Sequence, residues 1–218
     1  MRTSLETVHF PKDLQGNGIG ANGGKENVAP KERELSPGIM SALRLDSGIR
    51  VLELPCGQGI HMVSIVSYIK DMRYFGLDAD CLKIKDAQDR YAVYTHQRKA
   101  LFQDYEGERI PYVARFFHRI LCWDITILEM GPEQFLAECH RVLAADGILV
   151  LLLANKDEKI ALDYKELARK VGFRFLGTEA ILNGGETKGL EKGYRMVSLQ
   201  KPLLPKIMKD ELIIMKRG

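Results

Sequence analysis

Hydrophobic residues along this chain follow two alternating periods. "IRVLEL" (49–54) is an apolar run of buried-strand type, and in the "GIHMVSIVSYIKD" that follows, Ile60, Val63, Val66 and Ile69 fall at helical spacing. "MRYFGLD" (72–78) predicts a second strand, the charged segment from Cys81 to about Lys99 a helix, "ALFQD" (100–104) a third strand and "FFHRILCWD" (116–124) a fourth. "GPEQFLAECHRVLAADG" (131–147) predicts a helix with Pro132 in its first turn and Gly147 near its end. "ILVLLLA" (148–154), the most apolar run, predicts a central strand, and "DEKIALDYKELARKVG" an amphipathic helix ending at Gly172. "FRFLGTEAIL" and "GYRMVSLQK" predict two last strands joined as a hairpin.

Strands that alternate with helices need crossovers, and right-handed crossovers cover both faces of a sheet. The expected class is therefore α/β: a doubly wound, mainly parallel seven-stranded sheet with a C-terminal antiparallel hairpin strand and helices on both faces. Residues 1–45, rich in Gly and Asn and without hydrophobic period, predict a flexible N-terminal arm, available as a lid. Residues 46–201 are the expected domain, and 202–218 an extension suited to docking, for instance in a homodimer.

Composition narrows the partners. Of 218 residues 45% are hydrophobic and 28% charged, and the net charge of +3 comes from dispersed Lys and Arg, which argues against a nucleic-acid or membrane surface. No run approaches the ~20 apolar residues of a membrane span, and "MRTSLETVHFPKDLQ" has no apolar leader core. The cysteines, Cys56, Cys81, Cys122 and Cys139, form no C-x-x-C pair, so reduced thiols in a cytoplasmic protein, mostly buried, are expected and a metal site is not.

Candidate chemistry collects at strand ends. The "ELPCGQG" turn (53–59) closes the first strand, Asp78 the second, nineteen residues after Gly59, and Asp104 the third. A carboxylate after the second strand can accept from ribose hydroxyls, the next can accept from a purine amine, and glycines let backbone approach the remainder. The pattern describes a pocket for an adenosine-containing molecule. A dinucleotide would want G-x-G-x-x-G, but Met62 stands at the third glycine position. Pro55, at the entry, has a fixed φ and no N–H, and it asks only that Leu54 be extended, as the end of a strand already is.

"VLELPCGQG…YFGLDAD…ALFQDYEGERIPY…FFHRILCWDITILEM…FLAECHRVLAADGILVLL" resembles the class I S-adenosylmethionine (SAM)-dependent methyltransferases, particularly their small-molecule branch, over about residues 48–155. It departs from the family at Pro55 and in "AADG" where "KPGG" is usual. The resemblance implies that Glu53, Pro55, Cys56, Gly57 and Gly59 line the methionine end of SAM, with Glu53 on its ammonium. It implies Asp78 on the ribose, Ala79 against the adenine, Asp104 on the adenine amine and the Tyr105 amide facing a ring nitrogen. Cys122 and Trp123 would lie beside the reacting methyl. Asp124, His61 and His118 are candidate bases and Trp123 a candidate wall for the sulfonium, with S-adenosylhomocysteine (SAH) as product and a small-molecule acceptor. Plainer uses compete: Asp78 as a helix N-cap, Asp104 as a turn residue, Trp123 as a core aromatic, His118 as a packed strand residue and His140 as a surface one. A non-catalytic SAM-binding scaffold is the alternative function.

Overall fold

The computed structural model describes residues 34–67, 69–123, 130–153, 158–181 and 194–202. The elements are α1 (Pro37–Leu43), β1 (Arg50–Leu54), α2 (Met62–Val66), β2 (Arg73–Asp78), α3 (Cys81–Arg90), α4 (Ala92–His96), β3 (Ala100–Asp104), β4 (Phe117–Trp123), α5 (Pro132–Val142), β5 (Leu143–Leu153), α6 (Glu158–Val171), β6 (Arg174–Ile181) and β7 (Tyr194–Gln200). They build one seven-stranded sheet of order β3-β2-β1-β4-β5-β7-β6. Strands β1 to β5 are parallel and β7 runs antiparallel between β5 and β6. This is the doubly wound α/β sheet expected, with its hairpin.

Alternation along β5 shows how the sheet is sealed. Leu149 and Leu151 pack on the face carrying α5 and α6, and Val150 and Leu152 on the face carrying α1, α2 and α3, all with no exposed surface. Successive side chains of a strand point to opposite faces, so a continuous apolar run suits a strand covered on both. Residues 34–45, assigned by sequence to the arm, instead join the core. Ser36 caps α1, Ile39 and Leu43 are buried, and Arg119 of β4 donates to the carbonyls of Leu43 and Arg44 at the helix end. The rest of the arm and the end of the chain from 203 lie outside the described residues.

Three helix boundaries differ from expectation. Helix α2 stops at Val66, in a Val-Ser-Ile-Val stretch of low helix propensity. The expected 81–99 helix breaks at Tyr91 (φ −108°, ψ 26°) into α3 and α4. Helix α5 ends at Val142 rather than near Gly147, because Leu143 turns extended to pair with Phe117 while Ile148 pairs with Arg119, so that residues 144–147 bulge from the ladder. The Lys201 ammonium, arriving from the end of β7, donates to the carbonyls of His140 and Leu143 at 2.9 Å and caps that helix.

Candidate active site

Strand order reverses between β1 and β4, and a crevice opens there at the carboxyl ends of the strands. The turn after β1 fills its near wall. The Leu54–Pro55 peptide is cis, and Gly57 and Gly59 have φ of +55° and +69°. The two glycines are needed for different reasons. A Cβ on Gly59 would lie 2.5 Å from a ring carbon of Phe102, whereas one on Gly57 would meet nothing within 4 Å. Gly57 faces open space; Gly59 is pressed against the core.

The turn is tied to β2. The Cys56 amide donates to the Leu77 carbonyl at 2.8 Å, and the Gly57 amide to Asp78 Oδ2 at 2.7 Å. Asp78 Oδ1 accepts from the Asp80 amide at 3.0 Å. The helix-capping role weighed for Asp78 belongs to Asp80, whose Oδ1 accepts from the Leu82 and Lys83 amides. Those donors and Lys83 hold the Asp80 carboxyl below its ordinary range. Asp78, 6% exposed, keeps lone pairs toward the crevice, since a carboxylate offers about four acceptor positions.

The crevice is an open cavity of about 800 Å³. Of the residues singled out in the sequence, Glu53, Pro55, Cys56, Gly57, His61, Asp78, Ala79, Tyr105 and Trp123 line it. Gly59 stands behind the turn, and Asp124 lies outside the described residues. Asp104 and Cys122 are not on the wall. Asp104 pairs in register with Asp78 but is exposed at the sheet edge. Two residues on, Glu106 lines the cavity, beside Gly107 (φ +81°). Cys122 is fully buried on the α5 face, because alternation puts Leu121 and Trp123 on the other face. The Tyr105 amide donates to the Asp78 carbonyl at 3.1 Å rather than facing the cavity. Sequence reading passed over Asp80, Lys83 and Glu106 in the wall; the first two open the helix after an acid-ended strand, which is the signal that could have found them.

Glu53 departs most from expectation. Its carboxyl group has no exposed surface and accepts from Trp123 Nε1 at 2.6 Å on Oε1 and from the Tyr74 hydroxyl at 2.6 Å on Oε2, while His61 Nδ1 lies 2.8 Å from Oε1. It is enclosed by the protein's own groups, while the residue also lines the cavity. Burial, then the Glu53 charge, pushes the Tyr74 phenol well above its ordinary pKa, so it stays a donor. The His61 and Trp123 rings stack at 4.6 Å with 16° between planes. Cys56, raised by burial and then by Glu53 and Asp78, is a neutral thiol in the wall and not a nucleophile. His118, outside the cavity, accepts the Arg50 amide on Nδ1, and His140 packs edge-on against Phe173.

Among the described residues no group of three or more His, Cys, Asp or Glu could hold a metal ion, and no helix is long and apolar enough to cross a membrane. Residues 51–147 match the family model for a methyltransferase domain. No curated protein sequence matches the chain. Solved structures share the fold. The cyclase SpnF superposes with a TM-score of 0.64 at 16% identity, over 76% of this chain and 80% of its own. A geranyl diphosphate methyltransferase in complex with SAM gives 0.61 at 10%, over 75% and 83%. A SAM-dependent methyltransferase from Aquifex aeolicus gives 0.58 at 14%, over 75% and 88%.

Proposed function

We propose, from the match of residues 51–147 to a methyltransferase-domain model and from the shared fold, that the chain is a class I, SAM-dependent methyltransferase that transfers a methyl group from SAM to a nucleophilic oxygen or nitrogen of a small molecule by in-line displacement, releasing SAH. The observation that carries this reading is the cavity of about 800 Å³ at the strand-order reversal, with Gly57 open on one wall and the Asp78 carboxylate on the next. Its size suits a nucleoside-bearing ligand with room beside it, within the range of small-molecule sites.

The residues present fit an adenosyl group. Asp78 has acceptor capacity for two ribose hydroxyls, and its bond to the Gly57 amide holds carboxylate and turn in one rigid unit. Ala79 would offer a small apolar surface to the base, and Glu106, on the wall where Asp104 is not, would receive its exocyclic amine. Pro55, Cys56 and Gly57 would back the amino-acid end, with Trp123 closing the far side. When bound, SAM supplies a methyl group already activated by its sulfonium. The chain's work is then to align the acceptor and exclude water, which can supply much of the acceleration. Among the described residues the wall holds several carboxylates against one ammonium, Lys83, itself 3.3 Å from Asp80, so neutral or cationic acceptors fit better than anionic ones.

Titration calorimetry with SAH tests the binding half: saturable binding with one ligand per chain is expected, and no heat up to millimolar ligand would end the proposal. Transfer of tritium from methyl-labelled SAM to amines, alcohols and phenols tests the catalytic half. Tight SAH binding without transfer to any class would turn the reading to a non-catalytic SAM-binding scaffold.

A further inference from the structure

The enclosed Glu53 network has a directionality that binding alone does not require. Trp123 Nε1–H can only donate and the Tyr74 phenol stays protonated, so two fixed donors keep the Glu53 carboxylate an acceptor. A carboxylate that only accepts requires the proton of His61 on Nδ1, the atom 2.8 Å from Oε1. The remaining nitrogen, Nε2, then carries the lone pair. His61 is on the cavity wall with 13% of its side chain exposed, whereas Glu53 beneath it has none.

The geometry points to His61 as the proton acceptor of methyl transfer, with Glu53, Tyr74 and Trp123 as its positioning residues, and so to an acceptor whose nucleophile arrives as N–H or O–H. This rests on the methyltransferase reading above. In the step, the acceptor's N–H or O–H bond breaks, its electron pair stays on the heteroatom and would form the bond to the methyl carbon as the carbon–sulfur pair leaves with SAH, and the proton joins the Nε2 lone pair. The imidazolium so formed faces the Glu53 charge through Nδ1–H and lies over the Trp123 face, two interactions stronger for the cation than for the neutral ring. The proton then leaves to solvent through the open cavity. An amine that arrives as its ammonium, an alcohol or a phenol needs such a base; a carboxylate acceptor does not.

The test uses the full chain with nitrogen-15-labelled histidine and SAH as probe. Long-range proton–nitrogen spectra of the SAH complex should show His61 as the Nδ1–H tautomer. An Nε2–H tautomer, or loss of the Nδ1–H form on adding SAH because the ligand ammonium takes Glu53, overturns the assignment. His61→Asn keeps a donor near Nδ1 and deletes Nε2. It should bind SAH within threefold of wild type while tritium transfer to amines, alcohols and phenols falls at least a hundredfold. Retained transfer would overturn the base, and transfer by wild type to carboxylates but to none of these classes would overturn the acceptor class. Failure of wild type to bind SAH would instead remove the methyltransferase reading itself.

Discussion

Gly57 and Gly59 share a turn and a positive φ, yet substituting alanine at each should have separable consequences. Both variants carry the same kind of backbone penalty, about 1–2 kcal/mol for a side chain in left-handed conformation, offset by about 0.4–1 kcal/mol from a stiffer unfolded chain. They differ in what the new methyl meets. At Gly59 it would lie 2.5 and 2.9 Å from two Phe102 ring carbons. That ring cannot swing aside freely, since it is stacked on Tyr91 at 5.8 Å and tilted against Tyr74 at 5.5 Å. Overpacking of this kind costs about 1–3 kcal/mol, so Gly59→Ala should be less stable than Gly57→Ala by that amount. At about 2–4 °C per kcal/mol for a chain of this size, the gap in Tm is about 2–12 °C. Gly57→Ala should keep most of its stability but lose SAH affinity at least tenfold, because its methyl projects into the cavity. Thermal scans and calorimetry on both variants decide the matter. Equal Tm values would refute the packing argument, and undiminished SAH binding by Gly57→Ala would refute the placement of the ligand.

Asp78→Ala should weaken SAH binding at least tenfold, about 1.4 kcal/mol, by removing both the ribose acceptor and the anchor of the Gly57 amide; unchanged affinity in calorimetry would count against both roles. Tyr74→Phe should cost about 1–3 kcal/mol in denaturant unfolding, since Glu53 Oε2 loses its donor inside the core, and a cost near zero would mean that water reaches that oxygen. Of the four thiols, Cys81 should react with a disulfide reagent in the native protein, and Cys56, Cys122 and Cys139 only on unfolding; a fast second equivalent would contradict the burial. His118 is held below its ordinary pKa of 6.5 by burial, then by Arg50 and Arg119. The folded state thus takes its proton less readily than the unfolded chain, so its contribution is complete above about pH 6.5 and is lost as pH falls toward the folded value. His118→Asn, whose side-chain oxygen can still accept the Arg50 amide, should show a smaller fall in Tm between pH 7 and 5, with His140 keeping its own share of the slope; an identical slope would refute this.

Much of the architecture could be read from local pattern because it is encoded locally. Apolar runs such as "ILVLLLA" need cover on both faces, Pro132 opens a helix and Gly172 closes one. These are constraints of a few neighbouring residues on their own backbone. Helix ends were less legible: Val142 and Leu143 continue a helical stripe, and only pairing with Phe117, far away in the chain, takes Leu143 out of it.

The candidate site divides in the same way. By itself the sequence determined the strand-end turn, the two glycines and Asp78, because a tight turn and a strand-terminal acid are short-range features. Tertiary structure decided which neighbours share the cavity: it seats Glu106 on the wall in place of Asp104 and turns Cys122 into the opposite layer. It also decided what Glu53 meets. His61, Tyr74 and Trp123 come from α2's entry, β2 and β4, and nothing in their spacing says that they converge on one carboxylate. Convergence depends on strand order and on which face each side chain takes, and both are properties of the assembled sheet.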